Sequence, residues 1–148
     1  MKIKFNKNEI PEISKKLLER ISKMKNKSAK ILALSGELGA GKTTLTQELA
    51  RQLGIKENLI SPTYIIMKAY NIDTDSIYYK ESKKLIHIDA YRLDSSEELL
   101  KIGWEEIKKE KENLIIIEWP EKVESCLDKD ISWVKLEHVD DQTRSVIF

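Results

Sequence analysis

The sequence contains one cysteine, Cys126, among its 148 residues. A single thiol cannot form an internal disulfide, and it offers no second cysteine for a metal knuckle. No apolar run approaches the roughly 18 residues of a membrane-spanning helix. Residues 1–6 also lack the hydrophobic segment of a signal peptide. We therefore expect a protein of the reducing cytoplasm with no membrane segment.

The chain also lacks an excess of either charge, since 26 Lys and Arg stand against 25 Asp and Glu and the formal net charge is +1. Proteins that grip nucleic acid directly usually show a basic excess on one face. The lysine-rich stretch at residues 15–30 interleaves with apolar positions, which is typical of a solvated helix face. The length predicts one domain, residues 1–148, with enough hydrophobic residues for a core.

Residues 36–44 read Gly-Glu-Leu-Gly-Ala-Gly-Lys-Thr-Thr and match the phosphate-loop pattern G-x-x-x-x-G-K-[ST]. Glycines let backbone amides curl inward around an anion. From an accessible loop, Lys42 reaches the β- and γ-phosphates, and the Thr43 hydroxyl takes a position on phosphate-bound Mg²⁺. An apolar run at residues 30–35 predicts a buried strand before the loop, and helical spacing up to Gly54 predicts a helix after it. The predicted nucleotide-binding residues are Gly36, Glu37, Leu38, Gly39, Ala40, Gly41, Lys42, Thr43 and Thr44.

Two further apolar runs, residues 85–88 and 114–117, are each followed by an acid, Asp89 and Glu118. In an open α/β sheet, ligands bind at the carboxyl ends of the strands. An acid at that edge holds Mg²⁺ or orients a water, although a strand-end acid also serves as a cap for the next helix. The sequence leaves open which of the two acids binds the metal. His87, with apolar neighbours, is interpreted as a packed, hydrogen-bonded histidine and not as a ligand.

The amino-terminal and middle segments carry weaker patterns. Residues 2–5 predict an edge strand, followed by an amphipathic helix with Asn8 as its cap and Pro11 in its first turn. Residues 8–12 are a candidate contact for the nucleotide base. A Ser-Pro-Thr turn at residues 61–63 precedes a predicted strand at 65–70, and the polar residues 71–84 predict a long exposed hairpin connection or mobile loop.

In the carboxyl-terminal half, Ser95 and Glu98 have the spacing of a capping box, and Gly103 breaks the helix that they open. Trp119, directly after Glu118, either belongs to the core or shapes the site around a catalytic acid. Residues 131–139 and 144–148 predict a β-hairpin. Arg144 on its second strand meets a phosphate or base, or is a surface cation.

Absent motifs narrow the choice among nucleotide-binding proteins. A GTPase requires an Asn-Lys-x-Asp motif that recognises guanine. The sequence has no such motif, so ATP is the predicted nucleotide. A small-molecule kinase usually needs a lid of several arginines, whereas this chain has four that are scattered along it: Arg20, Arg51, Arg92 and Arg144. Two alternatives to an ATPase stay open, namely an ATP-binding interaction module without significant turnover and a small P-loop kinase.

Four segments in this order resemble the TsaE family, the bacterial P-loop ATPases of the tRNA threonylcarbamoyladenosine pathway. They are residues 36–44, Ser-Pro-Thr-Tyr (61–64), His-Ile-Asp-Ala-Tyr-Arg-Leu (87–93) and Ile-Glu-Trp-Pro-Glu (117–121). The resemblance spans nearly the whole chain. It implies an α/β fold, a P-loop NTPase three-layer sandwich with a central, mostly parallel sheet and a C-terminal β-hairpin.

The resemblance also implies a function. Such proteins bind ATP and Mg²⁺ and join the TsaD–TsaB complex, through which they act on tRNA indirectly. Their hydrolysis of ATP resets the complex, and we expect it to be slow in isolation and stimulated by the partners. By their match to family motifs, the catalytic residues are expected to be Lys42, Asp89, Glu118, Trp119 and Thr63, the metal-site residues Thr43, Glu118 and Asp89, and the residue near the nucleotide Arg144.

Overall fold

A computed structural model describes the whole chain, Met1–Phe148. The centre of the fold is a seven-stranded sheet. The strands are β1 (Lys2–Asn6), β2 (Lys30–Ser35), β3 (Met67–Asn71), β4 (Lys84–Asp89), β5 (Asn113–Glu118), β6 (Ser132–His138) and β7 (Thr143–Ile147). Their spatial order is β1-β7-β6-β2-β5-β4-β3. No helix combines the length and the apolar character that crossing a membrane requires.

The four central strands β6, β2, β5 and β4 pair in parallel, and the pairs at both sides of them are antiparallel. Only β3 and β7 run against the direction of the other strands. Parallel strands bring their carboxyl ends to one edge, so the loops after β2, β4 and β5 meet there. The strand before the phosphate loop, β2, pairs with β5, which ends in Glu118. The predicted hairpin is confirmed as β6 and β7.

Helices cover both faces of the sheet. On one face lie α1 (Ile10–Ser22) and α2 (Lys42–Gln52), and on the other lie α3 (Ser96–Lys101) and α4 (Trp104–Lys109). Alternate residues of β2 serve the two layers: Leu32 and Leu34 pack on the α1–α2 side, while Ile31 and Ala33 pack on the opposite side. The predicted three-layer α/β architecture is therefore confirmed.

Two predicted element starts are wrong. Asn8 does not cap the first helix, because it lies inside a 3₁₀ turn at Lys7–Glu9 that precedes α1. That turn is closed by Glu9, whose carboxylate accepts a hydrogen bond from the Asn6 amide at 2.6 Å. The strand predicted from residue 65 begins instead at Met67, because Ile66 has a left-handed backbone with φ of 69° and cannot extend the strand.

The connection between β3 and β4 joins two antiparallel strands, so the predicted hairpin connection is confirmed. It is less exposed than expected. Ile72 and Ser82 are buried, and the rings of Tyr78 and Tyr79 pack against the α1–α2 side of the core. The predicted capping box at the start of α3 also forms, and in it the Glu98 carboxylate accepts a hydrogen bond from the Ser95 amide at 3.3 Å.

Candidate functional site

The phosphate loop joins the end of β2 directly to the start of α2. Gly36, Gly39 and Gly41 all have positive φ values, and a Cβ added to Gly36 would lie 2.5 Å from the Leu136 carbonyl oxygen. The first backbone bond of α2 runs from the Leu45 amide to the Gly41 carbonyl. The amides ahead of it have no acceptor within the helix and point out of its amino-terminal end. The loop thus presents backbone donors and a positive helix end to an anion.

Lys42 is the first residue of α2, and only 5% of it is exposed. Its ammonium donates hydrogen bonds to the carbonyls of Gly36 at 2.6 Å and Glu37 at 2.9 Å. The same nitrogen lies 4.1 Å from the centre of the Trp119 ring. The expectation of an accessible lysine is wrong, because the loop carbonyls and the indole cover its charged end.

Burial lowers the pKa of Lys42 below that of an exposed lysine. Three carboxylates near it act in the opposite direction: Glu118, Glu121 and Asp89. The lysine is therefore a poorly hydrated cation, and such a cation gains more from an anionic ligand than an exposed lysine does.

Glu118 ends β5 on the face that carries α2, and it is 2% exposed. The Thr43 hydroxyl donates a hydrogen bond to its Oε2 at 3.1 Å. Its Oε1 lies 2.8 Å from His87 Nε2 and 3.4 Å from the Thr46 hydroxyl. The structure thus joins two predicted metal-site residues, Thr43 and Glu118, and adds two contacts that the sequence reasoning did not assign.

Asp89 ends β4 and lies beside Glu118 in the pairing register. Its Oδ2 accepts hydrogen bonds from the Thr63 hydroxyl at 2.7 Å and from the Ser61 hydroxyl at 3.1 Å. Its backbone amide donates to the Ile66 carbonyl at 2.8 Å. Asp89 therefore holds the loop at residues 61–66 next to the phosphate loop.

Trp119 follows Glu118 with a left-handed backbone, φ of 57°. Its amide donates to the Leu34 carbonyl at 3.3 Å, and its ring lies 5.1 Å from the ring of Tyr91, centre to centre. The turn places the indole over Lys42, and Trp119 also packs, partly buried, against the apolar cluster on the α3–α4 side of the sheet. Tyr91 is a second residue that the sequence reasoning did not assign to the site.

Two adjoining clefts flank the phosphate loop. One, of about 350 Å³, is lined by Leu38, Gly39, Gly41, Lys42, Thr43, Thr44, Ser61, Thr63, Asp89, Tyr91, Glu118 and Trp119. The other, of about 510 Å³, is lined by Phe5, Lys7, Ile10, Gly39, Ala40, Gly41, Thr44, Leu45 and Arg144. The clefts share Gly39, Gly41 and Thr44, and together they contain nearly all of the predicted site.

Two of the weaker expectations, for Arg144 and for residues 8–12, concern residues at or near the second cleft. Arg144 lines it, and its guanidinium donates hydrogen bonds to the carbonyls of Asp140 and Thr143 at 2.6 and 3.0 Å. Of the predicted base contacts at residues 8–12, only Ile10 lines the cleft, whereas Phe5 and Lys7 lie there although they were not predicted. They reach it because β1 pairs with β7, the strand that carries Arg144.

The oxygen atoms of the first cleft fit a Mg²⁺ ion. They come from the Thr43 hydroxyl and from the carboxylates of Glu118 and Asp89, and hard oxygen donors of this kind suit Mg²⁺. The structure has no group of three His, Cys, Asp or Glu side chains arranged to hold a metal. Mg²⁺ is commonly held by one or two carboxylates together with substrate phosphates and water.

The sequence is similar to one family of known proteins. The family described as "Threonylcarbamoyl adenosine biosynthesis protein TsaE" matches residues 6–146. A protein named tRNA threonylcarbamoyladenosine biosynthesis protein TsaE from Rickettsia felis is 34% identical over 145 residues, which cover 97% of this chain and 76% of that protein. A Bacillus subtilis protein of the same name is 33% identical over 123 residues, or 82% of this chain and 70% of that protein.

A solved structure is similar as well. The crystal structure of Bacillus subtilis YdiB superposes with a TM-score of 0.67 at 26% sequence identity, covering 99% of this chain and 82% of that one. The similarity covers nearly the whole chain, and it agrees with the P-loop NTPase architecture described above.

Proposed function

The chain belongs to the TsaE family, whose members take part in tRNA threonylcarbamoyladenosine biosynthesis, and from this premise we propose that it is a Mg²⁺-dependent ATPase of that pathway. It acts with the TsaD–TsaB complex and reaches tRNA through that complex. The observation that carries the proposal is the meeting of Lys42, Thr43 and Glu118 at one end of the sheet.

The phosphates of ATP bind in the first cleft, against the amides at the start of α2. There Lys42 exchanges its two carbonyl partners for phosphate oxygens. Thr43 and Glu118 would hold Mg²⁺, which would supply positive charge beside the phosphates. Asp89 orients the attacking water, and the second cleft, with Arg144 on its wall, takes the nucleoside.

The same residues support slow hydrolysis by the isolated chain. A phosphoryl-transfer site needs positive charge beside the γ-phosphate, and Lys42 is the one cation that lines the first cleft. Two acids, Asp89 and Glu118, line it as well. Arg92 does not line the cleft, and its guanidinium lies 4.1 Å from the centre of the Tyr64 ring. A partner that brings cationic groups or closes the cleft therefore accelerates the reaction.

The rim of the cleft supports a partner at this place. Leu38, Tyr64 and Ile65 are 79%, 82% and 61% exposed, although each is large and apolar or aromatic. Exposed apolar groups clustered at a site mark an interaction surface. We assign this rim to the contact with the TsaD–TsaB complex, which then covers Trp119 and the loop at residues 61–66.

The test is phosphate release by the wild type and by Trp119→Ala, each measured alone and with TsaD–TsaB. We expect slow release by the isolated chain and stimulation by the partners. Loss of the indole should reduce the stimulated rate by roughly tenfold, which corresponds to about 1.4 kcal/mol of barrier, with a smaller effect on ATP affinity. Trp133→Ala is the matched control, since Trp133 lies on β6 and lines neither cleft.

Fast hydrolysis by the isolated chain, unchanged by TsaD–TsaB, would refute the coupling and indicate a self-contained ATPase. Tight ATP binding with no phosphate release in either condition would favour the interaction module. Transfer of the γ-phosphate to a small molecule in place of water would favour the kinase.

A further inference from the structure

His87 is fully buried on β4, two residues before Asp89, so both side chains lie on the same face of the sheet. In the pairing register His87 lies opposite Ile116, and Glu118 is therefore its diagonal neighbour on β5. The imidazole Nε2 lies 2.8 Å from Glu118 Oε1, while Nδ1 is buried and has no hydrogen-bond partner. A polar ring buried with a single partner is costly to keep, which points to a role for that one contact.

The other group near Glu118 Oε1 is less suited to hold it. Thr46 Oγ1 lies 3.4 Å from this oxygen, but it lies 2.9 Å from the Lys42 carbonyl. A hydroxyl has one proton to donate, and the shorter contact is the one within the helix. His87 is therefore the principal donor available to Oε1.

We propose that His87 is a positioning residue, whose Nε2–H holds Oε1 of Glu118 so that Oε2 stays turned toward Thr43. An ionised carboxylate only accepts hydrogen bonds, so the proton between the two groups belongs to the imidazole. Nδ1, which has no acceptor near it, then carries only a lone pair. This neutral tautomer leaves no buried N–H without a partner.

The consequence is a fixed direction for the second carboxylate oxygen. Glu118 Oε2 lies 3.1 Å from the Thr43 hydroxyl, at the edge of the cleft where the phosphates of ATP are proposed to bind. Without His87, the carboxylate loses the contact that fixes its rotation, and Oε1 is left buried without its main donor. The inference rests on the proposed function, because it assigns to His87 the orientation of an acid that is proposed to hold Mg²⁺.

Two substitutions at this position separate positioning from packing. The amide nitrogen of Gln reaches about as far as Nε2, so His87→Gln keeps the donor, whereas His87→Leu removes it and keeps an apolar side chain in the core. The readout is the Mg²⁺ concentration at half-maximal binding of a non-hydrolysable ATP analogue. We expect His87→Leu to raise this midpoint by about tenfold or more, the range for loss of an outer-shell hydrogen bond at a metal site, and His87→Gln to restore most of the affinity.

A second measurement uses the wild type alone. Nitrogen NMR of the imidazole should report a protonated Nε2 and a bare Nδ1, and His138→Gln assigns the signals because the chain has only two histidines. Protonation at Nδ1 with a bare Nε2 would overturn the inference, even if His87→Leu fails to fold. An unchanged Mg²⁺ midpoint in a folded His87→Leu, with only a lower melting temperature, would also overturn it. Wild-type binding of the analogue that is independent of Mg²⁺ would instead contradict the proposed function.

Discussion

The phosphate loop, residues 36–41, and the loop at residues 61–66 face the same cleft, but they are held in different ways. The first is continuous with β2 and α2, and its left-handed positions are occupied by glycines. The second has a left-handed position at Ile66, where a β-branched side chain costs about 1–2 kcal/mol. It also exposes Tyr64 and Ile65.

The two loops also differ in how they contact the rest of the protein. The phosphate loop packs closely enough that no side chain fits at Gly36 beside the Leu136 carbonyl. The loop at residues 61–66 is attached to the sheet mainly through Asp89, by two hydroxyl groups and one backbone bond. We infer that the phosphate site is formed in advance, and that the second loop is the part able to rearrange when ligand or partner binds.

The largest expected effect comes from breaking the preformed site. Lys42→Ala removes a cation that makes charge-assisted hydrogen bonds, each worth about 1.5–3 kcal/mol, so ATP affinity should fall by at least tenfold and hydrolysis with it. Calorimetric titration with ATP measures the affinity. Lys56→Ala is the matched control, because Lys56 pairs with Asp73 on the surface. Equal affinity in the wild type and Lys42→Ala would remove the phosphate role from this lysine.

A smaller effect is expected when the attachment of the second loop is weakened. Thr63→Val keeps the shape of the side chain but removes the hydroxyl that donates to Asp89 at 2.7 Å. Loss of a bond to a carboxylate costs about 1.5 kcal/mol, the lower end of the range for charged groups, because Ser61 still donates to the same oxygen. Amide hydrogen exchange at residues 61–66 should therefore rise about tenfold while exchange at residues 36–44 stays unchanged. Mass spectrometry of the two peptides measures both. Equal acceleration in the two loops would contradict the difference between them.

The smallest effect is expected at the strained residue. Ile66→Asn loses apolar contacts, but Asn tolerates the left-handed conformation, so relief of strain offsets the loss and unfolding free energy should change by less than about 1 kcal/mol. Ile102 is the matched control, because it packs on the same side of the core with φ of −86°. Urea unfolding of Ile66→Asn and Ile102→Asn should show the larger loss for Ile102. A larger loss at Ile66 would mean that its backbone stores no strain.

Much of the site was predictable because its chemistry is local. The phosphate loop, the strand before it and the helix after it follow one another in the chain, and the acids Asp89 and Glu118 stand directly after apolar runs. The role of His87 was harder to recognise, because its partner is 31 residues away in the chain. The only available signal was its spacing of two from Asp89, which places both on one face of a strand.

The errors at element starts have a related cause. Asn8 is of a residue type that often caps helices, but the turn between β1 and α1 is held by a hydrogen bond between the Asn6 amide and the Glu9 carboxylate. Ile66 is of a residue type that favours strands, but its carbonyl accepts a hydrogen bond from the Asp89 amide on β4, and its backbone adopts the left-handed conformation there. Local preference was overridden by contacts that exist only in the folded chain.

The sequence by itself determined where the phosphate loop lies, which strands end in acids and which layers the elements form, since these depend on residue type and periodicity over a few positions. The tertiary structure decided which atoms meet. The order and register of the strands bring His87 to Glu118 and place Trp119 over Lys42, and the pairing of the chain ends, β1 with β7, brings Phe5 and Arg144 into one cleft. These pairings join residues far apart in the chain, so they depend on the packing of the whole sheet and not on any local pattern.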